Sequence, residues 1–145
     1  MQHQPRPKAP GVAAGIDEAM IATLVRRFYA SVRRDPIIGP VFESRVEDWD
    51  AHLEKLNAFW SSVTLMTGRY KGTPMTVHAE IDEISKAHFV RWLQLFAETA
   101  RQVCPPAAAA LFIDRAERIA ESLQLGISLA RGDQSALQPR GVAGR

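Results

Sequence analysis

Thr73-Pro74-Met75-Thr76-Val77-His78-Ala79-Glu80-Ile81-Asp82-Glu83-Ile84-Ser85-Lys86-Ala87-His88-Phe89-Val90-Arg91-Trp92-Leu93-Gln94-Leu95-Phe96 is the stretch on which the reading of this chain turns. An isolated histidine, His78, is followed at a fixed interval by an aromatic-rich amphipathic segment. Pro74 to Ile81 suffices only for a short helix, with proline in the favourable first position. Beyond it, Ser85 suits the N-cap of a long helix over about 85–103, whose Phe89, Trp92, Leu93, Phe96 and Val103 share one face. Pro105-Pro106 ends that helix and opens another over about 106–131, with Leu111, Phe112, Ala116, Ile119, Leu123 and Ile127 as its buried stripe. Gly132 is placed to terminate it.

Upstream of the stretch, Gly68, Gly72 and Pro74 bracket a loop containing Tyr70 that a long helix cannot cross. A helix precedes the loop, from about 47 to 66, with Val46, Trp49, Leu53, Leu56, Phe59, Trp60 and Val63 forming a wide apolar stripe. His52 falls in line with Leu56, Phe59 and Val63, so its imidazole faces inward. Asp35-Pro36 and Gly39-Pro40 mark a corner carrying Val41 and Phe42. Before it, Met20, Ile21, Leu24, Val25, Phe28 and Val32 recur at helical spacing behind Asp17 and Glu18, which predicts a helix over 17–34. Tyr29 lies beside that apolar face. Its hydroxyl needs a partner if buried, so it sits at the core edge or points into a polar pocket. No alternating strands and no internal repeat occur, which makes the domain all-α.

At 145 residues and 46% hydrophobic composition, the chain suits one domain that buries its own core. The expected division is a disordered leader over 1–15, rich in Pro, Gly and Ala, a folded domain over 16–131, and a flexible tail over 132–145. Cys104 is the single cysteine, so an intramolecular disulfide is excluded and a reducing compartment fits best. The first ten residues lack the apolar core of a secretion signal, and the expectation is a cytoplasmic protein. No run approaches the roughly 20 apolar residues that span a bilayer. Without residues 1–15 and 132–145, the remainder holds 14 Lys/Arg against 15 Asp/Glu. A near-neutral middle argues against a nucleic-acid-tracking face, although Arg26, Arg27, Arg33 and Arg34 cluster on one helix.

Each histidine and aromatic has an ordinary reading on its own: a lone histidine is more often structural than a ligand, and tryptophans on helical stripes usually pack. Their joint order is more specific. Phe28-Tyr29, Pro40-Val41-Phe42, Trp49-x-x-His52 followed by Asn57-x-Phe59-Trp60, Tyr70-x-Gly72-x-Pro74, and His78 ahead of Trp92-Leu93-x-Leu95-Phe96 resemble the truncated globins, most closely those of group III. The resemblance covers nearly all of 17–131. It implies a two-on-two helical sandwich, with B and E helices over G and H helices and a reduced A helix.

The same resemblance implies haem b as cofactor and His78 as the histidine that binds its iron. His88 is the competing candidate, although it begins a long helix and lacks the preceding short one. Tyr29, His52 and Trp92 match the distal polar positions, where hydroxyl, imidazole and indole N–H donate to dioxygen, carbon monoxide, nitric oxide or a small anion. Phe42 matches the phenylalanine that packs on the haem after the B helix. Phe28, Leu56, Phe59 and Phe89 are the expected walls, and Lys55 and Tyr70 the expected partners of the haem propionates. Reversible binding of diatomic ligands is the implied function, in a monomer or weak homo-oligomer. A redox enzyme at the same haem, either a nitric oxide dioxygenase or peroxidase-like and served by a reductase, is an alternative. A haem-free helical interaction domain is another. The acidic run Glu80-Ile81-Asp82-Glu83 leaves open which group hydrogen-bonds the His78 imidazole, and a carboxylate there would favour the peroxidase-like chemistry.

Overall fold

A computed structural model of the chain describes residues 4–71 and 85–130. The short helix expected over 74–81, His78 itself and the tail expected over 132–145 lie outside those residues. The described residues form six α-helices: α1 (Pro10–Ala13), α2 (Glu18–Arg34), α3 (Gly39–Glu43), α4 (Trp49–Leu65), α5 (Lys86–Val103) and α6 (Pro106–Ala130). No strand occurs among them, in keeping with the all-α expectation.

Local chemistry sets the helix ends. The Asp17 carboxylate accepts the Met20 N–H at 2.8 Å and caps α2. Asp48 does the same for α4, accepting from the Ala51 N–H at 3.2 Å. At the other end of α4, Met66 turns into the left-handed region at φ 56, which stops the helix at Leu65. α2 ends at Asp35, whose Oδ2 accepts the N–H groups of Ile37 and Ile38 at 3.0 Å each, while Oδ1 takes Arg91 of α5 at 2.8 Å. Burial pushes the Asp35 pKa up. The bonds from Arg91 and from the Ile38 and Ile37 amides outweigh it and hold the carboxyl below its ordinary 3.8.

Packing of the amphipathic faces gives the two-on-two sandwich. α5 and α6 pack on each other, α2 crosses α5 and rests on α4, and α4 touches α6. Phe28, Phe96 and Phe112 are fully buried where these helices meet. Trp60 of α4 stacks on Phe96 at 5.1 Å and 16°, and Trp92 stacks on the same ring at 5.4 Å and 9°. This three-ring ladder fixes α4 against α5. Alanines at 100, 108 and 116 are fully buried and let α5 and α6 approach closely. Cys104 is buried beside them, and burial lifts its thiol to about 11.

The expected disordered leader needs correction. From Arg6 onward the described residues are seated on α4: the Arg6 N–H donates to the Leu65 carbonyl at 3.0 Å, and Ala9 and Gly11 are buried. The reason lies in the small residues that suggested disorder. A Cβ at Gly11 would lie 2.5 Å from the Thr64 carbonyl oxygen, so only glycine admits this approach. A polar network ties the same end of α4 to α2. Ser61 Oγ donates to Glu18 at 2.7 Å and meets Thr67 Oγ1 at 2.7 Å, and Arg69 binds the other Glu18 oxygen at 2.6 Å.

Candidate functional site

The helices enclose a cavity of about 540 Å³, within the roughly 300–1,000 Å³ typical of small-molecule and cofactor sites. α2 contributes Tyr29, and the corner and α3 contribute Ile38, Val41 and Phe42. α4 supplies His52, Leu56 and Phe59 on one helical face, and α5 supplies Phe89 and Trp92. Ile119, Ala120 and Leu123 of α6 close the floor. Cations stand at the exposed rim: Lys55 on α4, with Arg69 and Lys71 on the segment after it. Tyr70 lies between those two, its ring edge-on to Phe59 at 5.2 Å and its N–H bonded to Ser62 Oγ at 2.8 Å.

Tyr29, His52 and Trp92 all line this largely apolar space. The Tyr29 ring is 5% exposed and lies edge-on to Phe28 at 4.7 Å, Phe42 at 5.7 Å and His52 at 5.7 Å. Burial pushes its phenol from 10.0 up to about 12, against a smaller lowering by the hydrogen bond with the Trp92 side chain. The hydroxyl therefore stays protonated at neutral pH and remains a donor. His52 Nε2 is shielded from solvent, and the imidazole is flanked by Tyr29 and by Trp49, the latter at 5.5 Å and 90°. Trp92 is held from behind by the Phe96 stack and by Phe28 at 5.4 Å, which aims its indole rather than leaving it to rotate.

His88 also lines the cavity, and its role can be read from its hydrogen bond. The Ser85 backbone N–H donates to His88 Nδ1 at 2.9 Å, within a capping box that starts α5. A backbone N–H can only donate, so Nδ1 of the neutral ring accepts and the ring proton sits on Nε2. That tautomer offers no lone pair to a metal at Nε2.

Of the residues singled out in the sequence, Tyr29, Phe42, His52, Lys55, Leu56, Phe59, Tyr70, Phe89 and Trp92 line one cavity. Phe28 does not. Its ring is 1% exposed and packs behind the wall, against Tyr29, Trp92 and Phe96. Neighbours on a helix point about 100° apart, and here the turn that brings Tyr29 to the cavity sends Phe28 toward Trp92 and Phe96. His88, weighed in the sequence as the competing iron ligand, lines the cavity too, and Arg69 and Lys71 were missed as lining residues. The signal for Arg69 was its place next to Tyr70, but its position depends on Glu18, which is remote in sequence.

An all-helical two-on-two sandwich with a polar trio in an apolar cavity between α2, α4 and α5 defines a globin-type fold of the truncated kind. No family model matches the sequence. A group 3 truncated hemoglobin from Campylobacter jejuni is 32% identical over 113 residues, which make up 75% of this chain and 89% of that relative. The crystal structure of group III truncated hemoglobin from Campylobacter jejuni resembles this one with a TM-score of 0.72 at 32% identity, again over 75% of this chain and 89% of that one. The chain belongs to the group III truncated haemoglobins. Among the described residues, no helix is long and apolar enough to cross a membrane.

Proposed function

We propose that this chain holds haem b in the cavity between α2, α4, α5 and α6, with His78 as the iron ligand, and that it binds diatomic ligands reversibly. The observation that carries the reading is that Tyr29, His52 and Trp92 line one cavity whose other lining is largely aliphatic and aromatic, with Lys55, Arg69 and Lys71 at its rim. The lining fits a flat, largely apolar group with acidic substituents. Phe42, Leu56, Phe59 and Phe89 would pack on its faces, and Lys55, Arg69, Lys71 and the Tyr70 hydroxyl stand where an anionic edge would meet solvent. His88 is the weaker candidate for the iron because its Nδ1 accepts a backbone N–H, and this favours His78.

Bound haem would supply an iron at which a diatomic ligand can bind. The protein's share is polar control of that position. Tyr29 donates as a neutral phenol, Trp92 can only donate, and His52 presents an N–H or a lone pair according to its tautomer. Together they favour a ligand that carries negative charge and slow its escape. Leu56, Phe59 and Phe89 exclude water, which protects the reduced state.

Hemin titration followed by absorption spectroscopy tests the proposal. A sharp Soret band in the wild type, and weakened retention with altered coordination in His78→Ala, are expected. No Soret band, or an identical spectrum and retention in His78→Ala, would overturn the haem reading or the ligand assignment respectively.

A further inference from the structure

A chain of contacts runs from the protein surface to the cavity wall through Glu43, Arg33, Trp49 and His52. Glu43 Oε1 accepts from Arg33 Nε at 2.8 Å, in an ion pair whose side chains are 46% and 47% exposed respectively. The Arg33 guanidinium carbon lies 4.5 Å from the centre of the Trp49 ring, at cation–π distance. Trp49 in turn meets His52 at 5.5 Å and 90°, and Tyr29 at 6.2 Å and 49°. Tyr29 also lies 5.7 Å from His52, so the three ring centroids form a triangle with sides of 5.5, 5.7 and 6.2 Å and both rings bear on the imidazole from the same side.

Two rings on one side of the imidazole limit how far it swings in that direction. Tyr29 is locked in the core, whereas Trp49 sits half-buried at the first turn of α4. Packing alone is the ordinary reading of such a tryptophan, but two features go beyond it. Its Nε1 is buried with no hydrogen-bond partner among the described residues, so the ring is placed for its faces and not for its N–H. It is also covered by a charged side chain that is itself oriented by Glu43.

We propose that Trp49 is a positioning residue that keeps the His52 imidazole turned into the cavity, and that the exposed Arg33–Glu43 pair holds Trp49 in place. The inference rests on the reading of His52 as a ligand-facing group. It makes the orientation of His52 sensitive to a surface ion pair that salt screens.

The first measurement needs no haem. His52 modification by diethyl pyrocarbonate is followed by mass spectrometry, with His88 on α5 as internal reference. Trp49→Leu should raise the rate at His52 relative to His88 several-fold. Arg33→Gln, an exposed change that leaves the core intact, should raise it in the same direction. Trp49→Phe should restore the wild-type ratio, because the indole N–H has no partner to lose. In hemin-loaded protein, the carbon monoxide stretching band of Trp49→Leu should gain the component seen in His52→Leu. An unchanged His52-to-His88 ratio in both Trp49→Leu and Arg33→Gln overturns the proposal, as does Trp49→Phe behaving like Trp49→Leu. A raised ratio in protein that takes up no hemin would strike the pocket reading and leave the positioning role standing.

Discussion

Tyr29→Phe removes one oxygen atom from the proposed ligand pocket and little else. The ring contacts with Phe28, Phe42 and His52 at 4.7, 5.7 and 5.7 Å are kept by phenylalanine, so the packing loss is small. What disappears is a neutral donor: the phenol titrates at about 12, so it offers its proton throughout the physiological range. A hydrogen bond to a charged partner contributes roughly 1.5–3 kcal/mol, or about 10- to 150-fold in a dissociation rate. The Trp92 indole N–H, on the same cavity wall, remains as a donor in the variant, which offsets part of the loss. Oxygen dissociation, measured by stopped-flow displacement with excess carbon monoxide, should therefore accelerate by about tenfold, the low end of that range. In the wild type the rate should stay flat up to pH 10.0, where an ordinary phenol is half ionised. An unchanged or slower rate in Tyr29→Phe, with the Soret band intact, would refute the assignment of Tyr29 as a ligand donor.

Two predictions concern the frame around the pocket. Gly11→Ala forces a methyl group to 2.5 Å from the Thr64 carbonyl oxygen and should cost about 1–3 kcal/mol in urea unfolding; unchanged stability would mean that α1 docks without contributing to the fold. Asp35→Asn keeps an acceptor for the Ile38 amide but turns a donor toward Arg91. Because the folded-state pKa of Asp35 lies below its ordinary 3.8, its stabilising effect is present above that value and is lost as pH falls through the lowered one. The variant should be less stable at neutral pH and should lose less stability than wild type on acidification, and parallel acid-unfolding curves would count against the Asp35–Arg91 link.

The long helices were legible because their apolar positions recur at helical spacing and their ends carry Asp17, Ser85 and the Pro105-Pro106 pair. That logic reaches His52, which shares a face with Leu56 and Phe59, and it reaches Trp92. It fails where a position depends on contacts remote in sequence. Arg69 is pinned by Glu18 and Tyr70 by Ser62, and nothing local announces either bond. The leader was misread for a different reason. Proline, glycine and alanine carry no periodicity, yet at Gly11 the missing side chain is what lets the backbone seat against Thr64.

Polar groups in this fold fall into two sets, and the contrast bears on function. Glu18, Ser61, Thr67 and Arg69 satisfy one another, and Asp35 answers two amides and Arg91. Those groups join helices, and the fold accounts for them. Tyr29, His52 and Trp92 meet Phe28, Phe42, Trp49 and Phe96 through their ring surfaces and bring their polar groups to the cavity instead of to a joint between helices. Three polar side chains thus share one largely apolar cavity, where taking a polar group out of water has a cost that a hydrogen-bonding ligand offsets. A chain shaped for stability alone would fill that wall with hydrocarbon. Retaining a phenol pushed up to about 12, an imidazole and an indole there is consistent with a ligand that enters the cavity and accepts their hydrogen bonds.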